Sequence, residues 1–270
     1  MLSKFSYKPI FKDHKNIRYD HYLNKGIQIY NKQKEEVTKC LDKFIDNDGV
    51  IDGTILMDNW FRISHKDIFI SHSHDDLNDV KAFAGWLQET FGLSVFIDSI
   101  SWNYCDDLLR KLDDKYCYDE KTHTYNYRLR NYTTSHVHMM LASSLTKMMN
   151  ETECVIFFNT PNSINVKSEI ENISQNKTRS PWIYHELLMS SMLKVNEPKR
   201  LERYSTIFEQ RKVDIDYNVK KYLEKMVDLS DEDLKNWKIK WNENKSSNNQ
   251  KIIFPLDILY ILKHDKKTGR

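Results

Sequence analysis

Between Asp67 and Asp98 the hydrophobic period changes twice, and that change restricts the fold more than any other stretch of the chain. Asp67-Ile68-Phe69-Ile70 is a short apolar run ending in Ser71-His72-Ser73-His74-Asp75-Asp76, the pattern of a strand running into a polar loop. From Leu77 the spacing becomes helical: Leu77, Val80, Ala84, Leu87 and Phe91 share one face, and Gly92 ends the helix. Val95-Phe96-Ile97 is a second short strand, closed by Asp98. Strand, helix and strand within about 30 residues make a βαβ unit, hence a parallel sheet with a right-handed crossover.

The rest of the chain extends that unit. Residues 17–45 carry Tyr19, Tyr22, Leu23, Ile27, Tyr30, Val37, Leu41, Phe44 and Ile45 on one stripe of a long helix, which Asp46-Asn47-Asp48-Gly49 stops. The following Asp48 to Asn59 segment has an EF-hand outline, but Val50 sits where a carboxylate or amide is needed and Asn59 replaces the bidentate Glu. A short helix is expected around Asp106–Leu112, and Val137, Met140, Leu141, Leu145 and Met148 mark another. Cys154-Val155-Ile156-Phe157-Phe158 is a buried strand ending in Asn159-Thr160-Pro161-Asn162-Ser163, and residues 162–179 read as a polar loop. Ser180-Pro181 then opens a helix, as N-cap and first-turn proline. Asn242–Lys251 is a polar linker, after which Ile252–Leu262 returns to an apolar pattern that docks on the core. These elements predict a doubly wound, flavodoxin-like α/β sheet over residues 66–194, with a long insertion at about 99–133. A helical extension precedes it (1–65), and a mixed one follows it (195–270), completing or docking on the core.

With 40% hydrophobic and 12% aromatic residues, the chain has enough apolar surface for a real core. Its 41 basic and 39 acidic side chains leave a formal charge of +2, which argues against nucleic acid or an anionic membrane as the main partner. Cys40, Cys105, Cys117 and Cys154 form no CxxC pair and read as reduced thiols, not as a disulfide frame or zinc site. Met1-Leu2-Ser3-Lys4-Phe5 lacks a signal-peptide run, and no stretch approaches the roughly 20 apolar residues of a membrane span, so a cytoplasmic chain is expected.

Ligands of open parallel sheets bind beyond the carboxyl ends of the strands. Three such ends, Ser71–Asp76, Asp98–Trp102 and Asn159–Ser163, are all polar. The helix that starts at Pro181 follows the third and opens toward the same edge. On it Trp182 and Glu186 are four residues apart and share a face. An aromatic plane beside a carboxylate suits a flat, cationic or sugar-linked ligand.

Lys66-Asp67-Ile68-Phe69-Ile70-Ser71-His72-Ser73 resembles the opening strand of TIR domains, and Cys154–Ser163 resembles their third strand and turn. Ser180-Pro181-Trp182-Ile183-Tyr184-His185-Glu186-Leu187 is similar to the Trp-x-x-x-Glu helix start of the NAD-cleaving TIR enzymes. The resemblance spans residues 66–194 and departs between Asp98 and Thr133, where TIR domains usually have a short loop. It implies cleavage of the nicotinamide–ribose bond of NAD+ as substrate, with no further cofactor and no metal. Glu186 would be the catalytic carboxylate, and Trp182, Ser71, His72 and Asp98 would bind substrate. It also implies self-association for activity, a nucleotide product that could signal to a downstream effector protein, and a setting in bacterial antiphage defence.

Two other readings stand beside it. A non-catalytic TIR-like adapter would need no carboxylate at position 186. A metal-dependent hydrolase could use His72, His74 and Asp76, which fit most of a His-x-His-x-Asp-His pattern, although Leu77 holds its final position. Outside such contexts, a Trp and a Glu one turn apart are a core residue and a solvated charge, and Ser71 and His72 simply hold a loop.

Overall fold

The computed structural model of the chain describes residues 3–9, 18–35, 51–61, 65–167, 175–178, 180–193, 220–246 and 254–268. The chain enters through strand β1 (Ser3–Tyr7), followed by helices α1 (Tyr19–Glu35) and α2 (Gly53–Trp60). Strand β2 (Ile68–Ser71), helix α3 (Leu77–Phe91) and strand β3 (Val95–Ile97) form the βαβ unit read from the sequence. Gly92 ends α3 in the left-handed region at φ 74°, where a residue without a Cβ is unstrained.

Helix α4 (Ser99–Leu112) starts directly after β3, so the ordered helix here is longer than the Asp106–Leu112 segment that the periodicity picks out. A two-stranded hairpin, β4 (Tyr118–Asp119) and β5 (Thr124–Tyr125), leads into the long helix α5 (Tyr127–Glu151). Strand β6 (Cys154–Phe158) follows. The segment expected as a polar loop holds a second hairpin, β7 (Asn165–Lys167) with β8 (Gln175–Lys177), before helix α6 (Pro181–Met192). Helix α7 (Lys220–Leu223), strand β9 (Val227–Leu229) and helices α8 (Asp231–Ser246) and α9 (Pro255–Thr268) complete the described chain.

The protein is a doubly wound α/β fold. Its five-stranded sheet has the order β3-β2-β6-β1-β9, and all four pairings are parallel. The reading of residues 1–65 as a helical extension needs correction at its start. Ser3–Tyr7 is a strand inside the sheet, hydrogen-bonded to β6 on one side and β9 on the other. Only Phe5 and Tyr7 of Ser3-Lys4-Phe5-Ser6-Tyr7 are apolar, so it lacks the continuous apolar run that marks β2, β3 and β6, and its stabilisation comes from neighbours about 150 and 220 positions away. The C-terminal segment supplies the edge strand β9. Along the sheet, the chain from β2 onward runs in the 2-1-3-4-5 order of flavodoxin-like sheets, except that β1 fills the fourth place.

Winding reverses between β2 and β6. The crossover from β2 to β3 moves one way along the sheet and the return to β6 moves the other. With equal handedness, α3 and the α4–α5 pair therefore fall on opposite faces. On one face α3 packs against α1, and Trp237 of α8 stacks on Phe91 with ring centroids 3.8 Å apart. On the other, α5 packs against α4, α2 and α6. The α1–α3 crossing is so close that a Cβ on Gly26 would collide with the Lys81 carbonyl, and one on Gly85 with the Tyr22 carbonyl. Between the layers lie Phe69, Ile70, Val155, Ile156, Leu87, Val137 and Leu141, all fully buried. Among the described residues, no helix is long and apolar enough to cross a membrane. Cys105, Cys117 and Cys154 are free, buried thiols, while Cys40 lies outside the described residues.

Candidate functional site

The reversal between β2 and β6 is the place where a doubly wound sheet opens a crevice at its carboxyl edge. Strand β2 ends there in Ser71, and His72 follows it out of the sheet. Strand β3 delivers Asp98 next to them. Helix α6 begins with Ser180 as N-cap, whose hydroxyl accepts from the Ile183 amide at 3.3 Å, and with Pro181 in the first turn. That start sets the phase of the helix and turns Glu186 inward.

Four of the five side chains expected to form the site come together. Ser71 Oγ donates to Oε2 of Glu186 at 2.5 Å. The amide of His72 donates to Oδ2 of Asp98 at 3.3 Å, and its Nδ1 lies 2.5 Å from Oδ1 of the same carboxylate without ordinary hydrogen-bond geometry. Asp98 occupies the N-cap position of α4 yet makes no side-chain cap there; its carboxylate faces back toward β2 instead. All four residues are buried, Glu186 to 2% exposure. A Glu lining an open cleft would be wetter than this. Burial, followed by the field of nearby Asp98, pushes the Glu186 carboxyl well above the usual carboxylate range, against the pull of the Ser71 hydrogen bond.

Trp182 takes a different position. It is half-buried and meets Trp102 edge-on with centroids 4.3 Å apart, and His138 of α5 edge-on at 5.3 Å. It is therefore one leaf of an aromatic cluster shared by α4, α5 and α6, one helical turn from Glu186. Trp102 closes the second polar strand end and His138 follows His136 by two residues, yet neither spacing marks them as neighbours of Trp182. His185 faces α5, where its Nε2 lies 3.2 Å from Thr146 Oγ1 and 3.3 Å from the Ala142 carbonyl, and burial lowers its pKa.

Next to the site, the turns after β2 and β6 are tied together. The buried Asp76 carboxylate accepts from Thr160 Oγ1 at 2.5 Å and from Asn162 Nδ2 at 2.7 Å. His72 is buried against Asp98 and His74 is exposed, so the His72, His74 and Asp76 set does not converge. Among the described residues, no group of three or more His, Cys, Asp or Glu side chains is placed to hold a metal. Asp52, from the EF-hand-like stretch, caps α2 by accepting from the Thr54 and Ile55 amides.

No family model, no curated protein and no solved structure matches the chain.

The chemistry of the site rests on its unsatisfied atoms. At the site His72 Nε2, Ser99 Oγ and Glu186 Oε1 have no hydrogen-bond partner, while His72 Nδ1 and Asp98 Oδ1 face each other without ordinary hydrogen-bond geometry. Folded proteins leave few such atoms, because each costs about 1–3 kcal/mol. Their concentration at a strand-end crevice marks a place where a polar ligand would supply the missing bonds. Two carboxyl groups in one buried site raise the cost of ionising both, and Glu186 is the one pushed upward.

Proposed function

We propose that the chain is a TIR-like NAD+ glycohydrolase or cyclase, with Glu186 as its catalytic carboxylate. The observation that carries this reading is the Glu186 carboxyl itself. It is buried at the winding reversal, held by Ser71 and close to Asp98, on the strand-end edge where His72 and Ser99 also carry unsatisfied polar atoms. The Trp-x-x-x-Glu helix start and the strand-end residues that resemble TIR enzymes support the same assignment.

The reaction can be carried by a single well-placed carboxyl. The bond from ribose C1′ to the nicotinamide nitrogen breaks with its electron pair going to nitrogen, so a cationic ring leaves as neutral nicotinamide. The leaving group needs no general acid, unlike an ordinary glycoside. What remains is positive charge on the ribosyl oxygen and C1′, which an ionised Glu186 offsets while it orients the ribose hydroxyls. Water at C1′, losing a proton, gives ADP-ribose, and an internal nucleophile gives a cyclic product. Ser71, His72 and Asp98 would bind the nucleotide, and Trp182, with Trp102 and His138, would wall the ring side of the site. Self-association, a downstream effector protein and a role in antiphage defence belong to the same proposal.

The test is incubation of purified protein with NAD+, alone and at high protein concentration, with products identified by mass spectrometry. Release of nicotinamide that a chelator leaves unchanged supports the reading. No nicotinamide from folded protein at any concentration sinks it. The second reading, a non-catalytic interaction module, is favoured by the apolar surface that the hairpin and the first half of α5 present. Tyr127, Tyr132 and Met139 are 79%, 66% and 67% exposed there.

A further inference from the structure

Catalysis by Glu186 asks for a carboxylate, whereas the resting site is built to hold a neutral carboxyl. Glu186 is buried beside a second carboxyl group, Asp98, and its Oε1 has no hydrogen-bond partner. The two acids are not equivalent. Asp98 accepts from the His72 backbone amide on Oδ2 at 3.3 Å and has the His72 ring nitrogen 2.5 Å from Oδ1, so both of its oxygens face nitrogen atoms of His72. Glu186 has one neutral donor, Ser71 Oγ on Oε2, which leaves Oε1 as the oxygen able to carry a proton. Among the described residues, other titratable groups on surrounding elements are turned to other partners. His138 lies against Trp182, His185 is bonded to α5, and Lys4 of β1 donates to the Ser190 carbonyl a turn further along α6.

We propose that Glu186 carries the proton of the Asp98–Glu186 pair at rest, that His72 assigns it there by facing both oxygens of Asp98, and that a cationic ring entering the site drives the proton off. The inference rests on the nicotinamide-cleaving reading of the same site. In the step, the O–H bond at Oε1 breaks with its electrons staying on oxygen, and the proton passes to solvent. The incoming pyridinium charge then takes the place of the proton as the positive partner of Glu186. Substrate charge switches on the catalytic carboxylate, and a neutral dihydronicotinamide cannot. His72 is a positioning residue in this scheme, because it acts through Asp98.

The experiment is difference infrared spectroscopy of the full chain at neutral pH, reading the carbonyl band of a protonated carboxylic acid. Proton release is measured in parallel by calorimetry in buffers of different ionisation enthalpy. The band is expected in wild type and absent in Glu186→Gln. It should vanish, with about one proton released per site, on saturation with carba-NAD+, a cationic analogue that is not cleaved. NADH, whose ring is neutral, should leave the band and release no proton. His72→Gln should shift the band, because the proton is then shared with Asp98, while circular dichroism stays that of the wild type; His72→Phe serves if Gln disturbs folding. A resting protein without the band overturns the proton assignment whatever the ligand. A band that survives bound carba-NAD+ overturns the switching step, and a band indifferent to both His72 variants overturns the positioning role. A band present in protein that binds neither dinucleotide overturns the nicotinamide reading, and the switching step with it.

Discussion

Ser71 and Glu186 are 115 positions apart in sequence, yet the hydroxyl of one donates to the carboxyl of the other at 2.5 Å in a site closed to solvent. The hydrogen bond joins the end of β2 to the second turn of α6 across the reversal of the sheet. Glu186 is thereby part of the buried structure as well as the candidate catalytic group.

The Glu186→Gln variant keeps the shape and removes the ionisable group. If Glu186 offsets oxocarbenium charge, nicotinamide release should fall about a hundredfold or more, with the loss in the chemical step. Single-turnover kinetics checks this, and wild-type turnover by the folded variant would remove Glu186 from the mechanism.

Stability should respond to pH through the same residue. The Glu186 carboxyl is raised above its ordinary value of 4.5, so the folded protein binds more protons than the unfolded chain once pH exceeds that value. Stability is then fullest in acid and declines as pH rises toward the folded-state value. Melting temperatures followed from about pH 5 to about pH 8 should fall in wild type and fall less in Glu186→Gln, which becomes the more stable protein at the upper end. Parallel curves for the two proteins would contradict the burial argument.

Trp182→Ala removes one ring from the cluster with Trp102 and His138. A half-buried indole lost from such a cluster should cost about 2 kcal/mol by denaturant unfolding. Substrate binding should weaken too, read as a raised KM, because the wall of the site loosens. A variant with unchanged stability would place Trp182 outside the packed cluster.

His185 is the internal control, since it neighbours Glu186 in sequence and faces the other way. His185→Ala removes the contacts to Thr146 and Ala142. It should cost about 1 kcal/mol of stability and leave turnover nearly intact. A large loss of turnover at wild-type stability would show that His185 acts on the reaction.

Gly85→Ala tests the α1–α3 crossing. A Cβ there would enter the Tyr22 carbonyl, and backbone cannot yield as a side-chain tip can. Although alanine is the better helix former, the variant should lose about 1–3 kcal/mol, read by thermal or denaturant melting.

Elements whose signals are local can be read from adjacent residues. The switch of hydrophobic period at Leu77, the Gly92 stop and the Ser180-Pro181 start all reappear in place. A period, a left-handed glycine and an N-cap are each set by a few adjacent residues. The convergence of Ser71, His72, Asp98 and Glu186 was legible for a related reason: strand ends and a helix start define one edge of a parallel sheet before any contact is known. Tertiary structure alone decided the rest. Ser3–Tyr7 becomes an inner strand because β6 and β9 flank it, and a five-residue segment announces no such neighbours. Trp182 turns to Trp102 and His138 because three helices meet there. Glu186 is dry, although a Glu one turn from a Trp reads equally well as solvated, because burial is set by which elements close over a side chain and not by the side chain itself.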